Sequence, residues 1–122
     1  MLYVSVSRVR ITLEVKGKGV CELELVRHLA PLTVGSILRV LPIESRVYRF
    51  NEKFLYFDTP LLIGVEKQRD SFKRGEVGFM VSNNTICIFL KDVHGMRFNP
   101  IGRVISNMEL LDHVSNDVVV LA

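Results

Sequence analysis

Residues 75–90 read GEVGFMVSNNTICIFL. Val77, Phe79 and Val81 alternate with Gly78 and Met80, the period of a strand with one buried face. Ser82, Asn83 and Asn84 interrupt the run, and asparagine suits a tight turn because it tolerates positive φ. Ile86 to Leu90 is almost wholly apolar, as a strand covered on both faces would be. The stretch therefore reads as a hairpin in the core of a β-rich domain. Cys87, Ile88, Phe89, Val77 and Phe79 are expected to be buried in it, together with Leu23, Val104 and Leu111 from elsewhere.

The flanking sequence repeats the pattern. Val9, Ile11, Leu13 and Val15 alternate with Arg10, Thr12 and Glu14. Lys16 to Gly19 is a turn, and Cys21, Leu23 and Leu25 alternate again beyond it. Leu2, Val4 and Val6 run in the opposite phase, which points to a bulge or a separate short strand. The period then changes. Val34, Ile37, Leu38 and Leu41 share one helical face, with Pro31 in the first turn and Pro42 ending the segment, so a helix is expected over 31–41. Strands are expected at 46–50, 54–57, 61–65, 101–105 and 117–121. Residues 68–75 and 91–99 read as loops. Ser106 and Glu109 have the spacing of a capping box for a second short helix over 107–114.

A chain of 122 residues, 48% hydrophobic and 24% charged, suits one domain with one core. No apolar run approaches the roughly 20 residues needed to span a bilayer. The N-terminal segment alternates like a strand and has no small-residue cleavage site, so a cytoplasmic protein is expected. A net charge of +3, dispersed along the chain, does not call for nucleic acid. Cys21 and Cys87 are either two buried thiols or a cross-strand disulfide, and with no nearby histidine pair they make no zinc site. No metal or cofactor is expected, because phosphate-binding glycine motifs, nucleotide fingerprints and a nucleophile elbow are all missing.

Ala30-Pro31-Leu32-Thr33-Val34 resembles the start of the first cyclophilin helix. Residues 101–111, IGRVISNMELL, resemble the last long cyclophilin strand and the helix after it. Tyr56 to Pro60, Gly75 to Phe79, Cys87 to Phe89 and Asn99 to Val104 resemble a group of small prokaryotic cyclophilin-like proteins of unassigned function. The resemblance spans nearly the whole chain. It implies a mainly β fold, a closed eight-stranded barrel with a short helix over each open end.

Cyclophilins isomerise the peptide bond before proline with an arginine beside an apolar groove. The resemblance implies Arg49 as the catalytic candidate, with Phe54 matching in spacing and Phe57 where the family has a glutamine. It implies a groove lined by Phe54, Met80, Ser82, Asn83, Ile88 and Phe98. The chain has no tryptophan, and Phe98 falls near the place of the groove histidine. An apolar groove with half of its polar parts replaced favours binding a small ligand or a peptide segment, with isomerase activity weak or absent; prolyl isomerisation by Arg49 is the alternative. A third reading rests on Lys67, Arg69, Lys73 and Arg74, four cations within eight residues around Phe72, as an anion or nucleic-acid contact. His94 with Asp92 and Arg97 is a further polar trio, without an accompanying nucleophile.

Overall fold

In the computed structural model, which describes residues 7–122, the opening hairpin is β6 (Glu76–Met80) and β7 (Thr85–Phe89). Val77 pairs with Ile88 and Phe79 with Ile86, and Asn84 at the turn adopts a φ of 57°. The other strands are β1 (Arg8–Val15), β2 (Gly19–Val26), β3 (Ile43–Phe50), β4 (Phe54–Asp58), β5 (Arg69–Phe72), β8 (Val93–Ser106) and β9 (Val118–Leu121). Neighbours run β2-β1-β9-β3-β4-β7-β6-β8, and β8 returns to β2, so eight antiparallel strands close a barrel. β5 stands outside the ring, paired to the first part of β8.

Closure depends on one glycine. Leu25 lies opposite Gly102 where β2 meets β8, and a Cβ on Gly102 would sit 2.0 Å from the Glu24 carbonyl oxygen. The obstacle is backbone, which cannot rotate aside, so only glycine lets the seam close.

Alternation sends one set of side chains inward. Leu13, Leu23, Val47, Leu55, Phe57, Val77, Phe79, Ile86, Ile88, Ile101 and Leu121 form a single aliphatic-rich core. Helix α1 (Pro31–Val40) covers one end with Val34 and Ile37, and Leu41 before Pro42 is already extended. Leu111 and Val114 join the same core from the other helical segment. All eight residues expected in the interior are buried except Val104, which is half-buried. Cys21 and Cys87 are free, buried thiols.

Four local expectations change. The second helix is a 3-10 turn over Met108–His113, led by Asn107 at φ 56°; Ser106 Oγ instead accepts from the Glu22 N–H at 3.1 Å, so the capping box does not form. Residues 61–65 form no strand. Leu61 is buried there, but Leu62 is 89% and Val65 68% exposed. Residues 91–99 are mostly strand, because β8 begins at Val93, and β5 occupies part of the expected 68–75 loop. Leu2, Val4 and Val6 lie outside the described residues.

The 61–66 segment is fixed by polar contacts instead of a ladder. Buried Asn99 donates to Thr33 Oγ1 (3.1 Å) and the Gly64 carbonyl (3.0 Å), and accepts from the Glu66 N–H (2.9 Å). The Glu66 carboxylate accepts from the Leu32 and Thr33 N–H groups and from the Thr33 hydroxyl, at 2.9, 2.8 and 2.7 Å. It satisfies donors at the start of α1 that have no partner within the helix. Burial pulls this carboxyl up, but the Thr33 hydroxyl and the two N–H groups outweigh it and hold its pKa below the usual 4.5.

Candidate functional site

The barrel wall has an outer face as well as an inner one, and on one side that face is aromatic. Phe54 on β4 and Phe89 on β7 face away from the interior, because they alternate with the inward Leu55 and Ile88. With Phe72 from β5, Phe98 and Val93 from β8, and Cys87, they form a second buried cluster. Phe72 stacks on Phe89 with ring centroids 4.6 Å apart and planes 8° from parallel. Phe98 meets Phe54, Phe72 and Phe89 edge-on at 5.5, 5.4 and 5.0 Å. Gly78 makes room for this arrangement, since a Cβ there would lie 3.0 Å from the Phe98 Cβ and 3.4 Å from a Phe89 ring carbon. Burial pushes the Cys87 thiol up to about 12, so it contributes bulk and not a thiolate.

β5 covers the Phe72 side of this cluster. On the Phe54 side, over that buried ring, lies a pocket of about 330 Å³ lined by Phe50, Phe54, Tyr56, Met80, Asn83 and Met96. Phe50 stacks on Phe54 at 5.0 Å yet remains 39% exposed. Tyr48 lies beside Tyr56 at 5.8 Å and is also exposed. No lining residue carries a charge. Asn83 Oδ1 accepts from the Thr85 hydroxyl at 3.0 Å. That contact orients the amide and leaves its N–H groups without a partner among the described residues. The site is thus an uncharged ring-and-thioether hollow with one polar corner.

Of the residues singled out in the sequence, the structure brings Phe54, Met80 and Asn83 to this pocket, with Phe98 beneath them. Ser82 is exposed in the adjoining turn and is not among the lining residues. Ile88 and Phe57 face the barrel interior. Arg49 is also on the other side of the wall. It pairs with Leu55, whereas Phe54 pairs with Phe50, so the hairpin register puts Arg49 and Phe54 on opposite faces. Its guanidinium reaches the end of the 3-10 turn, donating to the carbonyls of Val114 (2.8 Å), Asp112 (2.5 Å) and Leu111 (3.5 Å), and to Glu52 at 3.2 Å.

Phe50, Tyr56 and Met96 were missed in the sequence. Tyr48 and Phe50 alternate with Val47, so two large rings on the solvent side of one strand were the available signal. Met96 gave none, because its segment was read as a loop. His94 Nδ1 lies 2.9 Å from Ser71 Oγ, while Asp92 accepts from the Arg74 N–H at 3.1 Å. The trio's acid is thus engaged on the backbone.

The closed eight-stranded barrel agrees with a match between the sequence and a known family. The family model described as Cyclophilin-like covers residues 7–121. The chain belongs to the cyclophilin-like family. Among solved structures it is similar to the hypothetical protein AF2241 from Archaeoglobus fulgidus, with a TM-score of 0.79 and 29% identity over 94% of both chains. It is also similar in fold to McbB, solved in complex with tryptophan, with a TM-score of 0.71 and 16% identity. That likeness covers 91% of this cyclophilin-like chain and 43% of the McbB chain. No curated protein matches the sequence. Among the described residues, no helix is long and apolar enough to cross a membrane.

Proposed function

We propose that the outer-wall pocket binds a neutral ligand carrying a ring, as part of a small molecule or a peptide segment, without efficient turnover. The observation that carries this reading is the pocket's lining: three rings, two thioethers and one amide, without a charge. Such a surface gains by burying apolar area, and a single amide orients what is bound. Thioether side chains adapt their shape and contact rings well. McbB, similar in fold over 43% of its own chain, was solved in complex with tryptophan, which makes tryptophan a first probe for a ring-bearing ligand.

The position of Arg49 argues against isomerase chemistry. Twisting a prolyl bond faces a barrier of roughly 20 kcal/mol, and a thousandfold acceleration needs about 4 kcal/mol of transition-state binding. In a noncovalent mechanism that stabilisation comes from a charge or donor held against the bond. Arg49 is occupied at the barrel end, across the wall from Phe54.

NMR titration of the full chain with tryptophan and with an Ala-Pro peptide tests the proposal. Saturable shifts are expected at Phe50, Phe54, Met80, Asn83 and Met96, with affinity falling about tenfold in Met80→Ala. A protease-coupled assay on the same peptide should show little acceleration. Shifts confined to another face overturn the site. Fast isomerisation that Arg49→Ala abolishes replaces the binding reading with the catalytic one.

A further inference from the structure

A second, larger cleft lies between β5, the turn after it and the middle of β8. Its volume is about 930 Å³. Five cations line it: Arg69, Lys73, Arg74, Arg97 and Arg103; the acids in the lining are Asp70 and Glu76. Only Arg69, Lys73 and Arg74 are close in sequence. Arg97 and Arg103 arrive from β8, so the cluster is a product of the fold.

Three of these arginines are held in place. Arg69 donates to Glu76 at 2.9 Å and lies over the Phe72 ring, 4.6 Å from its centroid. Arg103 Nε donates to Glu24 at 3.3 Å. Arg74 meets Asp112 through two bonds of 2.8 Å and also donates to the Leu90 carbonyl, so its fork is structural. Glu76 is occupied on both oxygens, by Arg69 and by the Lys73 N–H at 2.8 Å. Lys73 and Arg97, by contrast, have no ion-pair partner among the described residues. The cleft thus combines two cations with no acidic partner and two arginines whose remaining N–H groups are pre-oriented, the arrangement that binds clustered anionic oxygens well.

Phe72, the ring among these cations, is buried beneath Arg69 and offers no stacking face. Bases of a single strand need exposed rings beside the charge, and among the described residues the exposed Tyr and Phe rings, Tyr48 and Phe50, are on β3. The volume is at the upper end of the range for small-molecule sites. Ser71 and Gln68 add neutral polar groups to the lining. We propose that this cleft is a second binding site, for a compact polyanion such as the diphosphate group of a small phosphorylated molecule. It is independent of the aromatic pocket.

Isothermal titration and NMR with inorganic pyrophosphate, ADP and a short single-stranded oligonucleotide test this. Pyrophosphate is expected to bind saturably and to shift the amides of residues 69–76, 97 and 103, with affinity falling as salt rises. ADP should bind at least as tightly. Lys73→Ala combined with Arg97→Ala removes two exposed side chains without a structural partner. It should keep the melting temperature and weaken pyrophosphate binding about tenfold or more. No saturable shift at millimolar pyrophosphate, or undiminished binding by the double variant, overturns the proposal. Oligonucleotide binding far tighter than either phosphate compound overturns it as well, in favour of a nucleic-acid partner.

Discussion

The inner and outer faces of the same wall carry two cores of different make. The interior is mostly Val, Leu and Ile, sealed by closure of the ring and by a helical segment at each end. The outer cluster is built on four fully buried phenylalanines, covered by β5 on the Phe72 side and by the partly exposed Phe50, Tyr56, Met80 and Met96 on the Phe54 side. The difference follows from geometry. Inside a closed ring every strand contributes neighbours, so branched aliphatic side chains fill the space from all directions. On an open wall few residues must cover much area, and aromatic rings bury 150–250 Å² each. The inner core stabilises without being reachable; a ligand at the outer one would meet the partly exposed Phe50, Tyr56, Met80 and Met96 that lie over buried Phe54.

Adjacent residues on β6 test this contrast most directly. Phe79 points inward and is fully buried, whereas Met80 points to the pocket. Phe79→Ala should cost about 3–5 kcal/mol in urea denaturation, from lost burial and the cavity left behind. Met80→Ala should cost less than about 1 kcal/mol while weakening ligand binding. Similar stability losses for the two would mean that the outer face is as much a structural core as the inner one.

Arg49 sharpens the comparison from the other side. If it serves the barrel end, Arg49→Ala should lower stability by about 1–3 kcal/mol, since the carbonyls of Val114 and Asp112 lose a charged donor. Ligand affinity at the Phe54 pocket should be unchanged. Retained stability with lost affinity would put the arginine back into the groove.

The smallest expected effect is acidic. Glu66 has a folded-state pKa below its usual 4.5. Its contribution is therefore complete above that usual value and is lost as pH falls through the folded value. Hydrogen exchange at the Leu32 and Thr33 amides should accelerate, relative to other α1 amides, as wild type is acidified through that range. Glu66→Gln should show a flatter profile. Identical profiles would mean that the carboxylate does not hold the start of α1.

The sequence by itself determined a β-rich domain with a helix packed on it, and the closed barrel followed from its resemblance to the cyclophilins. Alternation over 9–15, 21–25 and 77–81 marks strands with one face to bury, the apolar run at 86–90 marks one covered on both, and the period change at 31–41 marks a helix that must pack on them. These signals are local, since a side chain's period along its own segment needs no partner to be read. Phe54, Met80 and Asn83 were legible as groove residues through the resemblance. What only the tertiary structure decided is which face each residue takes across a turn and what non-neighbours share. Arg49 and Phe54 are five positions apart, yet the β3–β4 register separates them by the thickness of the wall. Leu61 to Val65 looks like a strand, but buried Asn99 and Glu66 hold that segment as a loop against Thr33, far away in the chain. β5 reads as polar loop because one residue of its four, Phe72, is buried, and its pairing with β8 supplies the order. Register, long-range polar contacts and edge pairing depend on where distant segments meet, and the periodicity of one strand holds no record of that.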